Sequence, residues 1–318
     1  MTKVRSYLSL IKFSHTIFAM PFALIGFFLA LFSFEHAYSV DQGWHKVVKR
    51  KIDLSPWTTF NRHVYDWKFY SVKFVLVILC MVFARSAAMA FNRYLDRRWD
   101  ALNPRTAVRE IPKGIITPKN ALVFTIINCV LFITTTWFIN MICFFLSPVA
   151  LAVVLGYSYT KRFTPLCHLI LGLGLALAPI GAYLAVTGVF HWLPILFSLT
   201  VLFWVSGFDI IYALQDVEFD QSQNLYSIPA WLGKVKALRF SEVLHLLSAS
   251  CVVAAGKFGH FGALYWIGVL VFIGCLIYQH FIVKPHDLRR VNLAFMTTNG
   301  IASVVFATFV IADLFVHL

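Results

Sequence analysis

Residues 71–100 read SVKFVLVILCMVFARSAAMAFNRYLDRRWD, and the two ends of that stretch ask for opposite surroundings. The first part is almost wholly apolar, as a helix crossing a bilayer over roughly 20 residues must be. The last part, NRYLDRRWD at 92–100, sets two aspartates four apart among three arginines. Residues i and i+4 share one face of a helix, so Asp96 and Asp100 leave the hydrophobic run side by side. A membrane helix that ends on a paired carboxylate is the feature from which the rest of the chain is read.

The apolar character is general. The chain has 318 residues, 60% of them hydrophobic and only 13% charged, with a mean hydropathy of +0.77. A soluble domain carries about 25% charged residues. The 32 phenylalanines suit lipid-facing helices with aromatic anchors. Nine candidate spans start near 14, 71, 118, 140, 164, 191, 237, 260 and 292. The third and fourth nearly fuse around Trp137–Met141 and need a tight turn there. The expected fold is therefore an all-α integral membrane protein, one domain over residues 1–318, with the lipid bilayer as its surroundings. Lys3 and Arg5 precede the first apolar run, which lacks a small-residue cleavage site and so reads as a span rather than a removed signal. Cys80, Cys129, Cys143, Cys167, Cys251 and Cys275 are scattered singly, as small buried hydrophobes are.

The net charge is +13, from 27 basic and 14 acidic residues. In a soluble protein this would suggest nucleic acid; here it fits the cytoplasmic excess of Lys and Arg that sets topology, and no nucleic-acid partner is expected. With the N-terminus cytoplasmic, the inner segments hold Lys3, Arg5 and Lys12, the basic run from Arg93 to Lys119, Lys161 with Arg162, Lys234, Lys236 and Arg239, and Lys284, Arg289 and Arg290. The extended segment 35–70, between the first two spans, goes against this trend. It places Lys46, Lys49, Arg50 and Lys51 outside and reads as an interfacial amphipathic piece.

Carboxylates at a membrane are costly and mark function. One group is Asn92, Asp96 and Asp100. The other, GFDIIYALQDVEFDQ at 207–221, holds Asp209, Tyr212, Asp216, Glu218 and Asp220. Asp216 and Asp220 repeat the four-residue spacing, and Asp209 and Tyr212 lie near the same helical face. Both groups fall on the cytoplasmic side. A single pair of this kind reads as solvated loop carboxylates balanced by arginine; two matched pairs read as facing oxygen-rich walls. Mg²⁺ binds through one or two carboxylates plus phosphate oxygens and water, so the walls suit two Mg²⁺ ions bridging a diphosphate. Arg93, Arg97, Arg105, Arg109, Lys161 and Arg162 border the same mouth. Some are topology determinants, as are Arg98 and Lys119; others can grip phosphate oxygens through the arginine fork. Arg85 lies inside the second span, where it either pairs with an aspartate or receives a substrate carboxylate. His15 and His168 stand near cytoplasmic helix ends without a metal-ligand spacing. No glycine-rich nucleotide motif occurs.

NRYLDRRWD and YALQDVEFD resemble the two aspartate-rich motifs of the UbiA superfamily of intramembrane prenyltransferases, NxxxDxxxD and YxxxDxxxD. The stretches ARSAAMAFNRYLDRRWDALNPRTAVREIPKG, GYSYTKRFTPLCHLILGLGLALAPIGAYLAVTG, FDIIYALQDVEFDQSQNLYSIPAWLG and FSHTIFAMPFALIG extend the likeness over most of the chain from residue 10. They are most similar to 4-hydroxybenzoate polyprenyltransferases and their menaquinone-pathway relatives. The resemblance implies nine transmembrane helices around a central cavity. Two Mg²⁺ ions would be held by Asn92, Asp96, Asp100, Asp216 and Asp220. Lys161, with Arg105 or Arg109, would contact the diphosphate; Asp209 and Tyr212 would line the cavity; Arg85 would stand near the aromatic acceptor. The reaction implied is transfer of a polyprenyl group from a polyprenyl diphosphate to a ring carbon of an aromatic hydroxy-acid in ubiquinone or menaquinone synthesis, in the bacterial inner membrane. Asp209 is a candidate base for the ring proton. Arg93 departs from the family, many members of which carry Asp directly after the first Asn. The rival reading is a transporter with an acidic ion-coupling site, against which stands the clustering of the aspartates at one mouth.

Overall fold

The structure is a computed structural model that describes residues 3–11, 17–43 and 67–317. Its regular structure is helical: α1 (Lys3–Leu10), α2 (Met20–Gly43), α3 (Trp67–Leu102), α4 (Pro118–Ile139), α5 (Met141–Thr160), α6 (Cys167–Thr187), α7 (Trp192–Ala213), α8 (Val217–Ser222), α9 (Ile228–Phe258), α10 (Ala263–Ile282) and α11 (Asn299–His317). Among the described residues, eight helical segments are long and apolar enough to cross a membrane. The protein is an all-α integral membrane protein. The ninth expected span falls on α2, whose apolar part, Met20–Phe32, is shorter than the others. The count of nine is therefore not reached among the described residues. The basic stretch at 46–51 and His15 lie outside them.

Helix boundaries follow from capping. Thr117 opens α4 by accepting a hydrogen bond from the backbone N–H of Asn120, with Pro118 at the first helical position, where a missing N–H costs nothing. Ser227 does the same for α9. This starts α9 at 228 rather than near 237: the helix begins early, breaks at Gly233, where φ is +76°, and resumes. The tight turn expected near Met141 is one residue long. Asn140 sits in extended backbone, its N–H donating to Thr136 and its side chain accepting from the N–H of Cys143. Its amide also donates to the carbonyls of Leu184 and Ala185, at 2.8 and 3.3 Å, so one side chain closes α4, opens α5 and ties both to α6.

α6 packs against α2, α5 and α7; α7 packs also on α9, α3 on α4 and α5, and α10 on α11. In lipid, such packing rests on close van der Waals fit between small residues rather than on expulsion of water. Gly172 shows it: a Cβ there would collide with the Ser206 hydroxyl and the Leu202 carbonyl of α7. A buried aromatic cluster fills the middle, with Phe22 and Trp204 centroids 5.4 Å apart and Phe272 and Phe306 5.2 Å apart. Large side chains such as Phe138, Phe145, Trp192 and Phe281 point outward, as a surface facing acyl chains allows. Cys167 is buried, and the other five cysteines are half-buried and free. Because the spans alternate in direction, the C-terminal ends of α3, α5 and α7 and the N-terminal ends of α4, α6 and α9 share one end of the bundle.

Candidate active site

That shared end holds a cavity of about 210 Å³. All of the site residues expected from sequence line it except Arg85: Asn92, Asp96 and Asp100 from α3, Arg105 and Arg109 from the loop that follows, Lys161 and Arg162 after α5, Asp209 and Tyr212 from α7, Asp216 from the turn after it and Asp220 from α8. Arg85, in the α3 span, stands outside the lining, as does Arg93, which is 3% exposed.

The first wall is a continuous helix. Asn92 donates from Nδ2 to Asp96 Oδ2 at 3.1 Å, the i,i+4 contact that the spacing allows. The second wall is not one regular helix: a 3₁₀ turn over Leu214–Asp216 joins α7 to α8. Such tightening is common where an α-helix ends. It places Asp216 and Asp220 in the same cavity as Asp209 and Tyr212, but not on a single α-helical stripe.

Among the described residues, five aspartates line the cavity, and each meets a basic side chain. Arg109 lies 2.6 Å from Asp100, Lys161 3.1 Å from Asp220, and Arg162 4.0 Å from Asp96. Arg105 grips Asp216 with two hydrogen bonds, at 3.0 and 2.5 Å, and donates to the Tyr212 hydroxyl at 2.8 Å. The fifth, Asp209, pairs with His168 Nδ1 at 2.6 Å. Burial works against the charge on Arg105 and Lys161. The hydrogen bond and charge of Asp216 for the one, and chiefly the charge of Asp220 for the other, outweigh it, so both stay protonated above their ordinary ranges. Arg162 is wedged between the rings of Trp99 and Tyr159, 4.7 and 5.1 Å from their centroids, an arrangement that orients a cation without consuming its hydrogen bonds.

Several lining residues were not foreseen. Asn103 donates to Asp216 Oδ1 at 3.3 Å and accepts from the Arg105 N–H at 2.9 Å. Its signal was present: 96, 100 and 103 continue one helical face. Tyr157 stands four before Lys161, the same spacing again. His168 had no local signal, because its partner is 41 residues away.

The donor set suits a hard cation. Asp100 Oδ2 and Asp220 Oδ2 are buried without a hydrogen-bond partner, although an orphaned carboxylate oxygen is costly. Yet among the described residues no three His, Cys, Asp or Glu converge closely enough to enclose an ion. A cation here would complete its shell with oxygens from a ligand and from water, which is the habit of Mg²⁺. The cavity is also smaller than the roughly 300–1,000 Å³ of most ligand sites, as expected where opposite charges are drawn together across it.

Comparison with known proteins gives a consistent result. A sequence model of the UbiA prenyltransferase family matches residues 62–301. The 4-hydroxybenzoate octaprenyltransferase of Nitrosomonas europaea is 30% identical over 243 residues, 76% of this chain and 82% of that protein. The enzyme of the same name from Tolumonas auensis is 28% identical over 243 residues, 76% of this chain and 85% of that protein. The apo structure of a UbiA homolog from Aeropyrum pernix superimposes with a TM-score of 0.71 at 26% identity, covering 95% of this chain and 98% of that one. A UbiA homolog from Archaeoglobus fulgidus bound to GPP and Mg²⁺ shares the fold at 19% identity, with a TM-score of 0.67 over 97% and 99% of the two chains.

Proposed function

The chain belongs to the UbiA prenyltransferase family, and on that premise we propose that it joins a polyprenyl group from a polyprenyl diphosphate to a ring carbon of a 4-hydroxybenzoate-like aromatic acid in respiratory quinone synthesis. The observation that carries this reading is the pairing of each motif carboxylate, on both walls of one cavity, with an arginine or lysine. An empty anionic site would repel its cations' natural ligand; a site that already holds both signs exchanges partners when a diphosphate enters. Arg105, Arg109, Lys161 and Arg162 turn from carboxylate to phosphate, and the released aspartates become free to hold metal.

Two Mg²⁺ ions would then be held by Asn92, Asp96 and Asp100 on one wall and Asp216 and Asp220 on the other, supplying Lewis-acid stabilisation of the departing diphosphate. The side chains supply the rest. Arg105, doubly bonded and braced by Tyr212, presents a planar fork to phosphate oxygens. The cations meet negative charge as it develops on the leaving group, which is preorganised electrostatic catalysis. The allylic C–O bond breaks first and its electron pair leaves with the diphosphate; the ring carbon ortho to the phenolic hydroxyl then bonds to the cationic allylic carbon. The apolar helices behind the cavity exclude water from the cationic carbon, and the tail lies toward lipid. The bacterial inner membrane, with the cavity and N-terminus on the cytoplasmic side, suits the basic residues gathered at that end.

The test is product formation by purified protein in detergent with geranyl diphosphate and Mg²⁺, offering 4-hydroxybenzoate and dihydroxynaphthoate separately, with EDTA controls. An EDTA-sensitive prenylated ring supports the reading, and the ring accepted names the quinone. No Mg²⁺-dependent binding of the diphosphate would overturn it.

A further inference from the structure

Four of the five cavity aspartates are tied to arginine or lysine, and the fifth is not. Asp209 takes its hydrogen bond from His168, at 2.6 Å. A carboxylate clamped by a permanent cation is a poor proton acceptor, because the cation stabilises its charged form. Among the described residues, Asp209 is the one cavity-lining carboxylate partnered by an imidazole rather than by an arginine or lysine. Its side chain is 22% exposed, whereas His168 is 2% exposed. Both side chains line the cavity, but the carboxylate is the more accessible of the two, and with Oδ2 committed to the imidazole, Oδ1 is the oxygen left to face a substrate.

The surroundings fix this arrangement. His168 is the second residue of α6, and its backbone carbonyl accepts from the Ser206 hydroxyl of α7 at 3.1 Å. Gly172, one turn further along α6, lets the two helices close to that distance. The far nitrogen, Nε2, is buried with no hydrogen-bond partner. Leaving it so costs free energy, and nothing in helix packing needs a histidine there.

We propose that His168 is a positioning residue for ring deprotonation: it holds Asp209 out of the arginine and lysine network and turned toward the acceptor ring. This rests on reading the cavity as an aromatic prenyl-transfer site. After the allylic carbon has bonded to the ring, that ring carbon still carries its hydrogen. Asp209 Oδ1 takes the proton, the C–H electron pair restores aromaticity, and the carboxylic acid so formed releases its proton through the open mouth of the cavity. His168 keeps its own Nδ1 proton throughout and acts only by orienting and polarising the carboxylate.

The experiment compares the wild-type chain with His168→Leu, which removes the donor, and His168→Gln, which keeps an N–H. Each is assayed with geranyl diphosphate, Mg²⁺ and whichever ring the wild type prenylates, in protiated and ring-deuterated form. With ionisation as the limiting step of the wild type, its isotope effect is expected to be near unity. His168→Leu is expected to lower kcat by roughly tenfold to a hundredfold, within the range of general-base effects, to leave the KM for geranyl diphosphate unchanged, and to unmask a normal isotope effect. His168→Gln restores most of kcat. A prenylating wild type with an unaltered Leu variant overturns the proposal alone. So does a Leu variant that loses activity with no isotope effect and no rescue by Gln, which would mark His168 as structural. No prenylated ring from the wild type overturns the parent reading, and this one with it.

Discussion

The wall on α3 and the wall on α7 face one cavity, yet they are secured by different means. The α3 wall is unbroken helix, and Asp100 draws its cation, Arg109, from only nine residues further on. The α7 wall is interrupted by a 3₁₀ turn, and its cations come from afar: Arg105 is 111 residues from Asp216, and Lys161 is 59 from Asp220. The first wall is set largely by local helical geometry, although Arg162 reaches Asp96 from beyond α5, at 4.0 Å. The second exists only once the bundle has assembled and brought Arg105, Asn103 and Lys161 to it. The same four-residue motif is thus a local feature on one side and a tertiary one on the other, and the loop after α3 stitches the two together.

The largest effects test whether the walls are equal partners in chemistry. Asp96→Ala and Asp216→Ala are each expected to reduce turnover by about 10²–10³-fold or more, since each removes a group that serves the developing charge. Product formation at saturating donor checks this. Near-normal activity in either variant would leave only one functional wall and end the two-metal reading.

Next come the cations that differ most between the walls. Arg105 meets Asp216 through two nitrogens, whereas Arg109 meets Asp100 through one. A lysine cannot reproduce a fork. Arg105→Lys should therefore raise the KM for the diphosphate by about tenfold, equivalent to about 1.4 kcal/mol, and Arg109→Lys by less. Equal effects would mean that the bidentate contact plays no part in donor binding.

A thermal-shift series separates the carboxylates from their ligands. If carboxylates and cations release one another only when both ligands arrive, Mg²⁺ alone and pyrophosphate alone should each stabilise the protein little. Together they should raise Tm by more than the sum, as linked binding requires, and EDTA should reverse the gain. A full shift from Mg²⁺ alone would show that the aspartates form a closed metal site without the anion.

The difference between the walls also explains what could be read in the sequence. Eight of the nine expected spans were legible because twenty-residue apolar runs have few other solutions, and the one-residue turn at Asn140 was legible because no room remained between two such runs. The α3 wall was legible because residues 92, 96 and 100 need only helical periodicity to meet. The α9 start was not, since a cap at Ser227 and a left-handed Gly233 let IPAWLGKVK, a stretch broken by proline and glycine, become helix. The 3₁₀ turn before Asp216 and the His168–Asp209 contact were not legible either. Both depend on how α6, α7 and the loop after α3 lie against one another, and spacing along the chain carries no record of that.

The smallest effect concerns pH, and it separates Lys161 from Arg105. Both cations are held protonated above their ordinary ranges, against the pull of burial, by the carboxylates they face. A raised folded-state value means that the stabilisation is fully present below the ordinary lysine value of 10.5 and fades only as pH climbs through the raised one. The Lys161 side chain is 35% exposed, so solvent screens its pair with Asp220, and the amount at stake is below about 1 kcal/mol. Donor affinity should therefore be flat in its Lys161 component through the neutral range and weaken only in strong alkali. Lys161→Arg should leave the neutral range unchanged and extend the alkaline limit, because a guanidinium does not deprotonate there. Binding of geranyl diphosphate with Mg²⁺, followed across pH in both proteins, reads this directly. An alkaline limit that does not move in the arginine variant would place the titrating group elsewhere and remove Lys161 from the set of cations that exchange carboxylate for phosphate.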